Sequence, residues 1–185
     1  PLGSGMTAMH RHVLMLQGPF SWFFTYLGQA LRRRGAAVTR VLLCPGDALF
    51  WRGRRTLRYR GRPEAWSGFV AELARRDGVT DMVCLGDGRF WHAAAIAALR
   101  PLGVRVHVVE QGYLRPGWLT LEPDGTGGNS RFPGDPAALR RLAGPAAALP
   151  RFRTSFAAFS AMDVAYNLAN LLGGRILYPH YRTHM

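Results

Sequence analysis

The chain has 185 residues, 48% of them hydrophobic, with 10 Phe, 5 Trp and 6 Tyr, which suits one packed domain or one lobe of a larger protein and argues against disorder. Its 24 Lys plus Arg against 11 Asp plus Glu give a formal charge of +13, so the surface attracts anions: nucleic acid, anionic lipid headgroups, or a phosphorylated or acidic small substrate. No run of about 18 apolar residues offers a spanning helix, so the chain reads as soluble or peripheral, and Cys44 and Cys84 lack metal-ligand spacing, reading as buried thiols rather than a disulfide framework.

Residues 1–5, PLGSG, read as the remnant of a cleaved expression tag, which leaves 6–185 as the native segment. HVLMLQ (12–17) is a continuous apolar run closed by Gly18 and Pro19, as expected of a strand buried on both faces. The next stretch repeats Trp22, Phe23, Tyr26, Leu27 and Leu31 at helical spacing and stops at Gly35 after a basic last turn. AVTRVLLC (37–44) is a second strand; the helix that follows has Pro63 suited to its first turn and Gly78 to its C-cap. TDMVCLG (80–86) is a third strand, RFWHAAAIAALRPLG (89–103) a third helix and VRVHVVE (104–110) a fourth strand.

Strands alternating with helices predict a Rossmann-like α/β fold, a parallel sheet with helices on both faces. After Gly112 the rhythm fails: residues 114–136 form a long loop or hairpin. A short helix capped by Asp135 follows, then a longer one over 154–174 capped by Thr154 or Ser155, and RILYPHYRTHM (175–185) reads as a strand leading into a polar loop. That ending predicts a chain cut at a lobe boundary.

In such a sheet ligands bind beyond the carboxyl ends of the strands, where loops converge and helix N-termini offer N–H groups. Three predicted strand ends carry the chemistry: QGPF (17–20), GDGRFWH (86–92) and EQGYLRPGW (110–118). They would gather Gly18, Asp87, Arg89, His92, Glu110, Tyr113 and Arg115 along one rim. QGPFSW lacks the spaced glycines of a dinucleotide fingerprint, which argues against a nicotinamide site. Each position also has a plainer reading: Gly18 as a tight turn, Asp87 as the N-cap of the third helix, His92 as a core histidine, Arg115 as a loop cation and Tyr113 as a core plug. Glu110 follows Val106, Val108 and Val109, so a partly desolvated, more basic or nucleophilic carboxylate is expected there, against the alternative of a salt bridge to Arg89 or Arg115.

Four blocks, LQGPFSWFFTYLGQALRRRG, YRGRPEAWSGFVAEL, VTDMVCLGDGRFWHAAAIAALRPLGVRVHVVEQGYLRPGWLTLE and NLLGGRILYPHYRTH, occur in an order that resembles the capsular polysaccharide biosynthesis proteins of the KpsS/LipB type. The resemblance runs from about His12 to His184. It implies the N-terminal, acceptor-side lobe of a GT-B retaining β-Kdo glycosyltransferase, with the C-terminal nucleotide-binding lobe as partner. It further implies transfer of 3-deoxy-D-manno-oct-2-ulosonic acid from CMP-Kdo to a phosphatidylglycerol-type lipid at the inner face of the bacterial cytoplasmic membrane. The family usually shows two acids where this chain has Glu110 and Gln111, so an amide replaces the second.

On that reading Glu110 is the catalytic carboxylate, and Gly18, Asp87, Arg89, His92, Gln111, Tyr113 and Arg115 line the substrate site. No cofactor or metal is expected, because departing CMP can be balanced by arginines and helix N-termini in a basic rim. The alternative is a non-catalytic module that docks on anionic membrane or export machinery through the arginines near residues 32–34 and 51–62. Nucleic acid is not expected as a partner, since the aromatics follow core periodicity.

Overall fold

The computed structural model describes residues 11–112, 118–142, 144 and 156–181. Its strands β1 (His12–Met15), β2 (Ala37–Leu42), β3 (Thr56–Arg58), β4 (Asp81–Leu85), β5 (Arg105–Gln111) and β6 (Leu119–Pro123) form one sheet in the order β3-β2-β1-β4-β5-β6. All pairings are parallel except β5 with β6. The fold is thus the expected Rossmann-like α/β arrangement, corrected to a mixed sheet: residues 114–136 include an antiparallel hairpin strand, Glu110 facing Thr120 across it.

Every residue of β1 is buried because the sheet is covered on both faces. Val13 and Met15 enter one layer with Phe24, Val38 and Trp51, while Leu14 and Leu16 enter the other with Trp66, Val70, Met82 and Leu99. The first layer is supplied by α1 (Phe23–Arg33), the second by α3 (Trp66–Asp77) and α4 (Phe90–Leu99). The predicted signals act as read: Pro63 opens a 3₁₀ turn into α3, and Gly78 ends it at φ 63.

Two elements have no counterpart in the sequence reading. The helix α2 (Pro45–Leu49) is a single turn after β2, and β3 is a short edge strand set among arginines, too brief to show periodicity. The helix α5 (Pro136–Leu142) is capped as expected, both Asp135 carboxylate oxygens accepting from the Ala137 and Ala138 N–H groups at 3.2 and 2.9 Å.

The predicted final strand is wrong. Residues 175–177 continue α6 (Phe156–Leu177), whose end is marked by the Tyr178 N–H donating to the Gly174 carbonyl at 2.9 Å and by Pro179 beyond it. Gly173 serves close approach: a Cβ there would lie 3.3 Å from Pro45 Cγ. The proposed caps Thr154 and Ser155 lie outside the described residues.

Candidate active site

The helices after β1 and β4 lie on opposite faces of the sheet, α1 in one core layer and α4 in the other. Chains leaving adjacent strands in opposite directions open a crevice beyond their carboxyl ends, the place where doubly wound sheets bind ligands. A cavity of about 330 Å³ occupies this switch point, lined by Gly18 and Phe20 after β1, Gly86, Asp87, Gly88 and Arg89 after β4, Glu110 and Gln111 at the end of β5, and Tyr166 of α6. A groove of about 570 Å³ shares Asp87, Glu110 and Gln111 and runs on past Thr120, Glu122, Thr126 and Asn129.

The floor is shaped from behind. A Cβ on Gly18 would stand 2.5 Å from the Phe24 ring, so the aromatic packed beneath excludes any side chain. Gly86 adopts φ 68, a left-handed conformation that glycine reaches without penalty. Its N–H donates to the Val109 carbonyl at 2.8 Å, and its carbonyl accepts from His92 Nδ1 at 2.8 Å.

This places His92 differently from the expectation. It is fully buried in α4 and does not line the cavity; burial lowers its pKa to about 4, with Arg89 and Arg40 contributing, so the ring is neutral and holds the Gly86 turn from underneath. Asp87 is not the cap of α4 either, since that position belongs to Arg89. Its Oδ2 accepts from the Thr126 N–H at 3.1 Å and Asn129 Nδ2 at 3.0 Å, tying the loop after β4 to the turn after β6.

Arg89 NH1 donates to Gln17 Oε1 at 2.9 Å. A guanidinium can only donate, so the amide oxygen must face Arg89 and the NH₂ must face the Tyr166 and Tyr181 hydroxyls, 2.6 and 2.7 Å away. Tyr166, accepting there, also shares a hydrogen bond with Cys44 Sγ at 3.1 Å. Burial, helped by the Asp47 charge, pushes the Cys44 thiol up to about 12, which keeps it protonated and unreactive. Behind it Arg40 and Asp47 form a buried pair at 3.6 Å, the guanidinium held between the Phe24 and Trp51 rings.

Gln17, Tyr166 and Tyr181 are site residues that the sequence reading missed. The signal for Gln17 was present, an amide ending an otherwise apolar strand. The tyrosines gave none, because their part depends on α6 crossing the carboxyl ends of β1 and β2.

Glu110 lies where expected, but it is exposed rather than desolvated. Its Oε1 accepts from the Gln111 N–H at 2.9 Å, and its Oε2 lies 3.3 Å from the point a Gly86 Cβ would occupy, so the carboxylate leans over the crevice mouth. Among the described residues it makes no ion pair with Arg89. Tyr113 and Arg115 lie outside the described residues.

The expected basic rim is also corrected. Among the described residues lining the two cavities the cation is Arg89, set among Asp87, Glu110 and Glu122, whereas Arg52, Arg54, Arg55, Arg58, Arg60 and Arg62 are exposed around the opposite edge strand, β3. The described residues include no three His, Cys, Asp or Glu side chains placed to hold a metal ion, nor a helix long and apolar enough to cross a membrane.

A mixed Rossmann-like sheet with a polar crevice at its switch point defines an α/β fold of the kind whose ligands bind at the strand ends. The chain belongs to the capsule polysaccharide biosynthesis protein family, whose model matches residues 80–185. It is 32% identical over 142 residues to the capsule polysaccharide export protein KpsS of Escherichia coli, covering 76% of this chain and 36% of that protein. It is 30% identical over 124 residues to the capsule polysaccharide modification proteins LipB of Neisseria meningitidis serogroups A and B, covering 66% of this chain and 30% of each. The chain therefore spans about a third of the length of these relatives.

Proposed function

We propose that this chain is the acceptor-side lobe of a retaining β-Kdo transferase of capsule biosynthesis, the N-terminal half of a GT-B enzyme that moves Kdo from CMP-Kdo to a phosphatidylglycerol-type lipid at the inner membrane surface. The observation that carries the reading is the crevice itself: in a chain of this family, Glu110, Gln111 and Arg89 line one switch-point cavity together with Gly18, Gly86 and Gly88. Double displacement through a carboxylate at the reacting carbon retains configuration. Glu110 would attack the anomeric carbon while the bond to CMP breaks with its electron pair on the phosphate oxygen. The acceptor hydroxyl, passing its proton to the phosphate of the departed CMP, would then displace the carboxylate, which leaves with the bonding electron pair as the free Glu110 side chain.

Arg89 is suited to the anionic groups of donor or acceptor, and Gln17 fixes where its guanidinium can reach. Gln111, Thr120 and Asn129 offer the paired donors and acceptors that sugar and glycerol hydroxyls require. Because Glu110 is open to solvent here, its reactivity rests on placement and on water being displaced when ligand and the other lobe close over it.

The test is transfer from CMP-Kdo to a phosphatidylglycerol acceptor by the full-length protein carrying Glu110→Gln. We expect turnover to fall by at least ~10²-fold, and near-wild-type turnover removes Glu110 from the mechanism. A second reading, a non-catalytic module on anionic membrane, is favoured by the exposed arginines around β3. It predicts that charge reversal of Arg54, Arg55 and Arg58 abolishes co-sedimentation with anionic liposomes in a protein that has no transferase activity.

A further inference from the structure

The helix α6 is apolar on nearly every side. Its inner face is accounted for: Phe159 packs on Phe20 at 4.9 Å, Tyr166 bonds Gln17, and Asn170 Oδ1 accepts the Gly46 N–H at 2.7 Å. Among the described residues nothing covers the opposite face, where Val164 is 63% exposed, Leu168 49%, Leu171 76%, Leu172 70% and Ile176 81%. A helix apolar all round is stable in water when its outer side is also covered. These side chains present a contiguous apolar face on the order of the roughly 300–600 Å² of the largest patch on a typical monomer, a patch that is often functional.

The spacing on that face says what fits it. The exposed positions Ala157, Ala161, Val164, Leu168, Leu171 and Arg175 recur at alternating intervals of four and three, the seam of a left-handed helix pair. Turned end for end about Tyr166, the seam meets itself with small residues against large ones. Val164 then faces Leu168, Ala161 faces Leu171, and the aliphatic stem of Arg175 lies over Ala157 with its charge free to reach solvent. The charged group on this face is Arg175, near the C-terminal end of the helix, and the middle of the seam is uncharged in a chain of formal charge +13. A surface complementary to itself in size, with its charges set at the ends, suits a two-fold contact.

We infer that α6 is a dimerisation helix, two copies of this chain packing their α6 helices antiparallel along this seam. The inference is independent of the chemistry assigned to the crevice. Sedimentation velocity on the chain is expected to give twice the 20.5 kDa chain mass at micromolar concentration, and Leu168→Glu with Leu171→Glu is expected to give the monomer with unchanged circular dichroism, since both positions are exposed.

Register is tested by mild oxidation. A chain carrying Ala161→Cys and Leu171→Cys should form a covalent dimer, whereas one carrying Ala161→Cys and Ile176→Cys should not; native Cys44 and Cys84 are buried and do not compete. A monomer at 100 μM (about a hundredfold above the micromolar range of ordinary stable dimers) overturns the inference. So does a dimer indifferent to the glutamates, or a monomer whose α6 face instead binds anionic liposomes.

Discussion

The acid sensitivity of the fold should be traceable to His92. The imidazole is fully buried, and its pKa falls from 6.5 to about 4, chiefly through burial. Between those values the unfolded chain binds a proton that the folded chain refuses, so stability is complete above about pH 6.5 and is lost as pH falls toward 4. Each tenfold change in proton concentration is worth about 1.4 kcal/mol, so this one group removes roughly 3 kcal/mol across the window, a large part of a typical 5–15 kcal/mol stability. In His92→Asn the amide can still donate to the Gly86 carbonyl but does not titrate. Urea unfolding at intervals from pH 7 to 4.5 should show a constant offset for the variant, from the smaller side chain, and a distinctly flatter decline. Asp81 does not obscure the window: burial would raise its pKa, but hydrogen bonds from Arg105, His107 and Thr80 outweigh that and hold it at about 2, so its contribution is lost only below about pH 3.8. Equal slopes in wild type and variant would refute the reasoning.

Gly46→Ala would drive a Cβ to within 2.5 Å of the Tyr166 ring, and because ring and helix must both move we expect ~1–3 kcal/mol of destabilisation by thermal melting. The buried Arg40–Asp47 pair predicts strong non-additivity: Arg40→Met or Asp47→Leu alone strands a buried charge and should cost about 3–5 kcal/mol, whereas the double variant should cost much less, as a double-mutant cycle in urea will show.

The central sheet was legible because buried parallel strands are short apolar runs bounded by glycine and proline, a pattern that β1, β2, β4 and β5 all follow. β3 was not, since a three-residue edge strand with one apolar residue, flanked by arginines, has little apolar signal, and α6 was cut short because Gly173 and Gly174 look like a terminator unless Pro45 is known to press against Gly173. The site divides in the same way. Gly18, Asp87, Arg89, Glu110 and Gln111 meet at the crevice because topology alone brings strand ends together. His92 failed because helical phase turned it inward to brace Gly86, a distinction that sequence position could not make. The exposure of Glu110 was misjudged for a related reason: apolar neighbours along a strand bury its middle, while its end opens into the cleft.

A ligand of this enzyme should touch the lobe at the crevice and not around β3. Titration of ¹⁵N-labelled protein with a short-chain phosphatidylglycerol should shift the amides of Gly18, Gly86, Gly88 and Gln111 together and saturably, with the effect weakened by Arg89→Ala. Shifts confined to Arg54, Arg58 and Arg60 around β3, leaving the crevice amides unmoved, would contradict it.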